Sequence, residues 1–271
     1  MNECVLLVNS CDSYDDLWNP FFTLLHLYWP DLPYQIYLNT EHKQYCREDL
    51  NIRVLNQISE EEIPWGKRIL DCLKRLDCEY VMISLDDFFL RQPVKTEKIN
   101  NCIRAMDAEK DISVFYFLDT SDVFRHEFID DGKYPEFELA KKNAHYLMNL
   151  QAAVWRKNDL ESYIHEFDSP WSFEVLGSRY YKGNHKFYYL KPKSERIFDY
   201  GFKMNGMGVF RGQWVKEDVV PLFQKHGIEV DYNKRGFYRA NDNVFVDIRN
   251  RLRLRLQLRD YEKHYYKNLE Q

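Results

Sequence analysis

Short apolar runs separated by polar clusters set the rhythm of the first third of the chain. Cys4 to Val8 is one such run; it stops at Asn9-Ser10-Cys11-Asp12-Ser13 and reads as a buried strand. Leu17, Trp18, Phe21, Phe22, Leu24 and Leu25 then recur at helical spacing up to Pro30, with Asp12 or Ser13 placed to cap the helix. Gln35 to Leu38 and Asn51 to Leu55 predict two more short strands. Ile69, Leu70, Leu73 and Leu76 predict a helix over 65–76 that feeds a strand from Glu79 to Leu85. Further on, strands are expected at 112–118, 146–155, 186–190 and 208–211. A short amphipathic helix over 159–167 is broken by Ser169-Pro170, and a helix over 217–226 is stopped by Gly227. Between them, 119–142 is polar and aromatic without a clean period, and an insertion of that length is usually functional or mobile.

The order β-α-β-β-α-β of the opening segments predicts a doubly wound, Rossmann-like half with its strand ends on one edge. Ligands of open α/β sheets bind beyond the carboxyl ends of the strands. The run ending at Leu85 delivers two carboxylates, Asp86 and Asp87, to that edge. Two readings compete for them. A divalent-metal site holding a phosphorylated substrate is one, since such carboxylates are too costly to bury unpaired. A turn or helix cap is the other, because Asp is common there. The chain has no G-x-G-x-x-G and no G-K-[ST], so a nucleotide bound here needs a metal to carry its phosphate charge.

Bulk properties narrow the class. At 271 residues one α/β domain with long insertions is the default, and 45% hydrophobic residues suffice for a sizeable core. A net charge of −5 argues against a nucleic-acid partner. Cys4, Cys11, Cys46, Cys72, Cys78 and Cys102 form no C-x-x-C pair, which suits reduced thiols in a cytoplasmic protein. There is no signal-peptide pattern at the N-terminus and no apolar run of bilayer length. Aromatic content is high, at 16%. Such rings serve core and half-buried surface, and some can stack on sugars or bases.

Several local patterns, taken in order, carry a resemblance. They are Ser13-Tyr14-Asp15-Asp16-Leu17-Trp18 with Pro20-Phe21-Phe22, Tyr28-Trp29-Pro30-Asp31, and Pro33-Tyr34 with Ile36-Tyr37-Leu38. Leu85-Asp86-Asp87-Phe88-Phe89-Leu90 and Leu150-Gln151-Ala152-Ala153-Val154-Trp155-Arg156-Lys157 follow, then Ser169-Pro170-Trp171 with Phe173-Glu174, and Val209-Phe210-Arg211-Gly212 with Trp214. The set resembles bacterial GT-A-type glycosyltransferases of capsule and lipopolysaccharide gene clusters, over the chain up to about Gly236. The resemblance implies an α/β fold of the GT-A type, a Rossmann-like mixed sheet flanked by helices. It also implies an Mn²⁺ or Mg²⁺ held against the diphosphate of a nucleotide-sugar, and a role in surface polysaccharide synthesis.

Where the commoner family pattern is Asp-x-Asp, this chain has the x-Asp-Asp variant. Neighbours on a strand face opposite ways, so Asp87 is the expected metal ligand, with Asp86 serving the ribose or a metal-bound water. A UDP-sugar is the expected donor, and a glycan or lipid-linked molecule the acceptor. Ser10, Cys11, Asp12 and Tyr14 would border base and ribose. Trp65 would stack on the base or the acceptor, or else lie in the core. Lys67, Arg68 and Arg211 are sources of positive charge. Glu174 is the candidate general base of an inverting transfer, against the reading of an ordinary capping or surface glutamate. His126, His145 and His185 lack metal-ligand spacing and read as structural. Two other classes stay open: a nucleotidyltransferase, which would want a glycine-rich basic loop after the first strand, and a non-catalytic sugar-binding or scaffold protein.

The tail is a separate segment, 237–271, beside a domain over 1–236. Arg249, Arg251, Arg253, Arg255 and Arg259 interleave with Leu252, Leu254, Leu256 and Leu258. Alternation suits a strand; Ile248, Leu252 and Leu256 form an i, i+4 stripe that favours a helix. Such a helix packs on the domain or touches anionic lipid, which would make the protein peripheral on the inner face of the membrane.

Overall fold

The computed structural model describes residues 2–119, 126–201, 206–239 and 255–267. Strand β1, Asn2–Asn9, is the reference element. Its side chains alternate between two faces: Leu6 and Val8 enter one core, and Val5 and Leu7 the other. Strand β4, Cys78–Leu85, divides in the same way, with Tyr80 and Met82 on one face and Val81 and Ile83 on the other. A strand buried on both faces needs a continuous apolar run rather than alternation, and both runs supply it.

Helices cover both faces. Residues of α1 (Asp15–Tyr28) and α3 (Thr96–Ala108) pack in the first core, and residues of α2 (Trp65–Lys74) and α4 (Lys157–Tyr163) in the second. The sheet also contains β2 (Gln35–Thr40), β3 (Ile52–Asn56), β5 (Ile112–Asp119), β6 (Phe128–Ile129), β7 (Phe137–Ala140), β8 (Ala153–Arg156) and β9 (Lys186–Leu190). Its order is β3-β2-β1-β4-β8-β5-β9-β7-β6. The pairs β1–β2, β1–β4, β2–β3 and β5–β9 are parallel; β8 runs antiparallel between β4 and β5. The Rossmann-like mixed sheet flanked by helices is thus observed, and the opening β-α-β-β-α-β order is parallel throughout.

Three local expectations need correction. Neither Asp12 nor Ser13 caps α1, whose N-terminal position has no side-chain cap. Asp12 instead accepts the Thr40 hydroxyl at 2.6 Å and the amides of His42 and Lys43, fixing the turn after β2. The 119–142 insertion contributes β6 and β7 to the sheet, with 120–125 outside the described residues. The strand expected over 146–155 shrinks to Ala153–Arg156. Backbone groups before it are taken by side chains: Tyr116 Oη donates to Leu147 O and accepts from Asn149 N, both at 3.0 Å, and Met148 N donates to Ser178 Oγ at 2.8 Å. Amides satisfied in this way have no need of a ladder.

After α4, Ser169 starts a new helical run with a reciprocal capping box to Ser172. The run comprises α5 (Pro170–Ser172), a π turn (Phe173–Gly177) and α6 (Ser178–Tyr180). A hairpin follows, β10 (Val209–Phe210) and β11 (Gln213–Trp214), then α7 (Lys216–His226), closed as expected by Gly227 in a left-handed conformation. Past Gly236 the backbone stays engaged, Tyr238 N donating to Trp214 O at 2.8 Å. In the tail, 255–264 is helical; the stretch from Asp247 to Leu254 lies outside the described residues. Among the described residues no helix is long and apolar enough to cross a membrane.

Candidate active site

The sheet grows from β1 toward β2 and β3 on one side and toward β4 on the other. The loops leaving β1 and β4 therefore diverge, and a crevice opens between their carboxyl ends. Asn9 and Leu85 are register partners, so the next residues of each strand face one another. There the Ser10 hydroxyl donates to Asp86 Oδ2, while Trp18 Nε1 donates to Ser10 Oγ at 2.6 Å. Asp86 is buried, at 4% exposure. Burial first, and then the Asp87 charge, push its carboxyl well above the usual range. Asp87 is half-buried, and desolvation pushes it up to about 7, against the opposing pull of the Arg235 charge.

The β10–β11 hairpin closes one side of the acidic pair. Gly208 N donates to Asp87 O at 2.7 Å. A Cβ on Gly208 would meet the Phe89 ring at 2.3 Å and Asp87 O at 3.1 Å, so only glycine lets the hairpin approach. Arg211 is exposed at the hairpin tip with φ of 52°, and its guanidinium lies over the Phe210 ring at 5.2 Å.

Tyr14 lies beside the pair, with the Arg235 guanidinium over its ring at 4.3 Å. Burial, followed by the Asp87 charge, raises the Tyr14 phenol. Arg68 is buried and committed within the protein: it donates to Ser10 O at 2.7 Å and pairs with Glu41 at 3.1 Å. Its work is to fix the loop after β1. Trp65 is half-buried against Phe173, ring centroids 5.9 Å apart, and among the described residues its indole N–H has no partner.

Glu174 projects from the π turn, and its Oε1 accepts from Leu150 N at 2.9 Å. It is half-buried, and burial raises its carboxyl to about 7 against that hydrogen bond. Side chains link it to the acidic pair. Leu150 precedes Gln151, whose Oε1 accepts the Tyr200 hydroxyl at 2.8 Å, and the Tyr200 ring packs on Phe88 at 4.7 Å. Since Ala153 is opposite Ile83, residues 150–152 lie along the end of β4. Ser10, Tyr14, Trp65, Arg68, Asp86, Asp87 and Glu174 thus border one sheet edge. Asp12 is turned toward the β2 loop and Arg211 toward the hairpin tip.

Sequence reasoning missed Arg235. It grips Asp16 with two bonds, at 2.7 and 2.6 Å, and its charge reaches both Asp86 and Asp87. Nothing local in Lys234-Arg235-Gly236 signals this; only the fold brings position 235 onto α1. Glu41 and Gln151 were missed for the same reason.

The histidines stand apart: His145 and His126 pair with Glu127, and His185 with Tyr163 and Asp159. Among the described residues no group of three or more His, Cys, Asp or Glu is set to hold a metal. The donor chemistry nonetheless fits a hard divalent cation. Mg²⁺-type ions need only one or two carboxylates when substrate phosphates complete the shell. Asp86 and Asp87 resist ionisation, and Arg235, whose charge reaches both, is already paired with Asp16.

Fold and edge together define a mixed α/β protein with an acidic crevice at the switch point of its sheet. No family model matches the chain, and no curated protein matches it. Among solved structures it is similar to S. aureus TarS 1–349, with 13% identity, a TM-score of 0.46, and coverage of 71% of this chain and 59% of that one. It is also similar to the galactosyltransferase LgtC in complex with donor and acceptor sugar analogs, at 13% identity and TM-score 0.37, covering 60% of each chain. A third is the mannosyltransferase PcManGT from Pyrobaculum calidifontis with GDP-Man and Mn²⁺, at 10% identity and TM-score 0.41, covering 59% and 46%. This chain thus spans three-fifths or less of the length of these proteins. Likeness at these scores carries no argument about chemistry, which rests on the geometry of the edge.

Proposed function

We propose that the protein is a metal-dependent glycosyltransferase of GT-A type, moving a sugar from a nucleoside-diphosphate donor to a glycan or lipid-linked acceptor in surface polysaccharide synthesis. One observation carries the reading: at the switch point of the sheet, a buried carboxylate locked to Ser10 stands next to a half-buried one that burial holds near neutrality. No glycine-rich phosphate cradle accompanies them.

Asp87, supported by Asp86, would hold Mn²⁺ or Mg²⁺. When bound, such a cation supplies Lewis-acid stabilisation of the leaving diphosphate. Ser10 holds Asp86 in place and borders the ribose. Tyr14 offers a ring face to the donor, and Trp65 a half-exposed ring. Glu174 accepts the proton of the attacking acceptor hydroxyl, for which a carboxyl near neutrality is well matched. This gives an inverting outcome. A UDP-sugar is the proposed donor. The segment 237–271 is proposed as a basic tail able to touch anionic lipid, with Arg255, Leu256 and Arg259 exposed on its helix.

The test is release of nucleoside diphosphate from a panel of UDP- and GDP-linked sugars, with and without Mn²⁺ and with and without acceptor glycans. Mn²⁺-dependent release supports the transferase reading. Release of pyrophosphate from a free nucleotide and a sugar would instead make the protein a nucleotidyltransferase, and no turnover with tight sugar binding would make it a binding protein.

A further inference from the structure

Asp168 is completely buried, and each of its oxygens is committed. Oδ1 accepts the Ser172 hydroxyl at 2.8 Å and the Tyr266 hydroxyl at 2.6 Å; Oδ2 accepts His165 N at 2.9 Å. Two elements of the candidate site hang on Asp168 and its turn, one through the carboxylate and one through the backbone. Ser172 is the third residue of α5 and closes its capping box, and Phe173 and Glu174 follow it directly. The 165–168 segment also receives the start of α2, Gly66 N donating to Asp168 O at 2.8 Å and Lys67 N to Glu166 O at 3.0 Å. The approach is so close that a Cβ on Gly66 would lie 2.0 Å from His165 O. The helix end carrying Trp65 and Arg68 is thereby docked against the turn carrying Glu174.

Tyr266 comes from the far end of the chain and is itself buried, at 1% exposure. Neighbouring tail residues hold it there: Tyr265 stacks on Phe167 at 4.5 Å, and Glu262 accepts from Arg179 and Tyr180, both at 3.0 Å. We infer that Tyr266 is a positioning residue for Glu174, the C-terminal segment acting through Asp168 to fix the turn that carries the proposed base. The inference rests on Glu174 being that base. Among the described residues, the titratable groups facing Glu174 are phenols, Tyr116 on β5, Tyr146 before β8 and Tyr189 on β9, and burial raises all three above their ordinary range, so none of these brings a charge near neutrality. What holds the Glu174 carboxyl up is therefore how closely its turn packs.

The experiment compares Tyr266→Phe, which keeps the ring and removes the hydroxyl, with Glu262→Gln, which weakens the exposed pair to Arg179 and leaves the Tyr266 hydroxyl on Asp168. Amide exchange over 170–177 should quicken about fivefold or more in Tyr266→Phe and stay near wild type in Glu262→Gln. The low-pH limb of kcat should move to lower pH in Tyr266→Phe as water reaches Glu174, with donor affinity in calorimetry unchanged within about twofold. A Tyr266→Phe protein with lowered Tm but unaltered exchange and an unmoved limb would overturn the positioning role, leaving Tyr266 as packing alone. Should Glu174→Gln keep full activity, it is the base assignment that fails; the exchange measurement then still decides whether Tyr266 fixes the turn.

Discussion

At the scale of single residues, Asp86 and Asp87 are adjacent in sequence but not equivalent in space. The turn that follows β4 sends one inward to Ser10 and leaves the other half-exposed beside Tyr14 and Arg235. Asp87→Ala should lower turnover about a hundredfold or more and abolish its Mn²⁺ dependence, as read by nucleotide release across a metal titration. Glu174→Gln should lower kcat by about two orders of magnitude with little change in donor affinity. The sign of its pH effect follows from protonation: a base works when deprotonated, so wild-type kcat should rise with pH through about 7, and this limb should vanish in the variant. The acidic pair was legible because it ends an apolar run. Arg235 was not, since its position over Tyr14 depends on a return of the chain from more than 200 residues away.

At the scale of elements, the apolar runs of β1 and β4 announced themselves because burial on both faces demands them. The helices α1, α2 and α7 were legible from their spacing and from Gly227. The 146–152 stretch was misread as strand, since its residues are as apolar as a strand's. Hydroxyls of Tyr116 and Ser178 and the Glu174 carboxylate take its backbone groups instead, and these partners are distant in sequence. The close approach of the β10 hairpin to Asp87 was hidden in one glycine. Gly208→Ala should push the hairpin off Phe89 and the Asp87 carbonyl, costing about 1–3 kcal/mol in urea unfolding and weakening metal-dependent turnover together. A stable variant with wild-type activity would mean that the hairpin has no part in shaping the crevice.

At the scale of the whole molecule, the crevice stores an electrostatic cost. Asp87 and Glu174 have folded-state values raised to about 7 from 3.8 and 4.5. The folded protein then binds more protons than the unfolded chain between those values and about 7, so stability from these groups is present at low pH and is lost as pH rises toward 7. A cation bound at Asp87 offsets that loss by mass action. Mn²⁺ should accordingly raise Tm more at pH 8 than at pH 5, and equal shifts at both would place the cation elsewhere. The central claim, that Asp87 and its cation hold a nucleotide-sugar at the sheet's switch point, is tested most directly by calorimetric titration of a UDP-sugar panel into wild type and Asp87→Ala, each with and without Mn²⁺. The account predicts binding of at least one member to wild type that requires Mn²⁺ and is lost in Asp87→Ala. It would be contradicted by equal affinity in the variant, or by no UDP-sugar binding to wild type with the metal present.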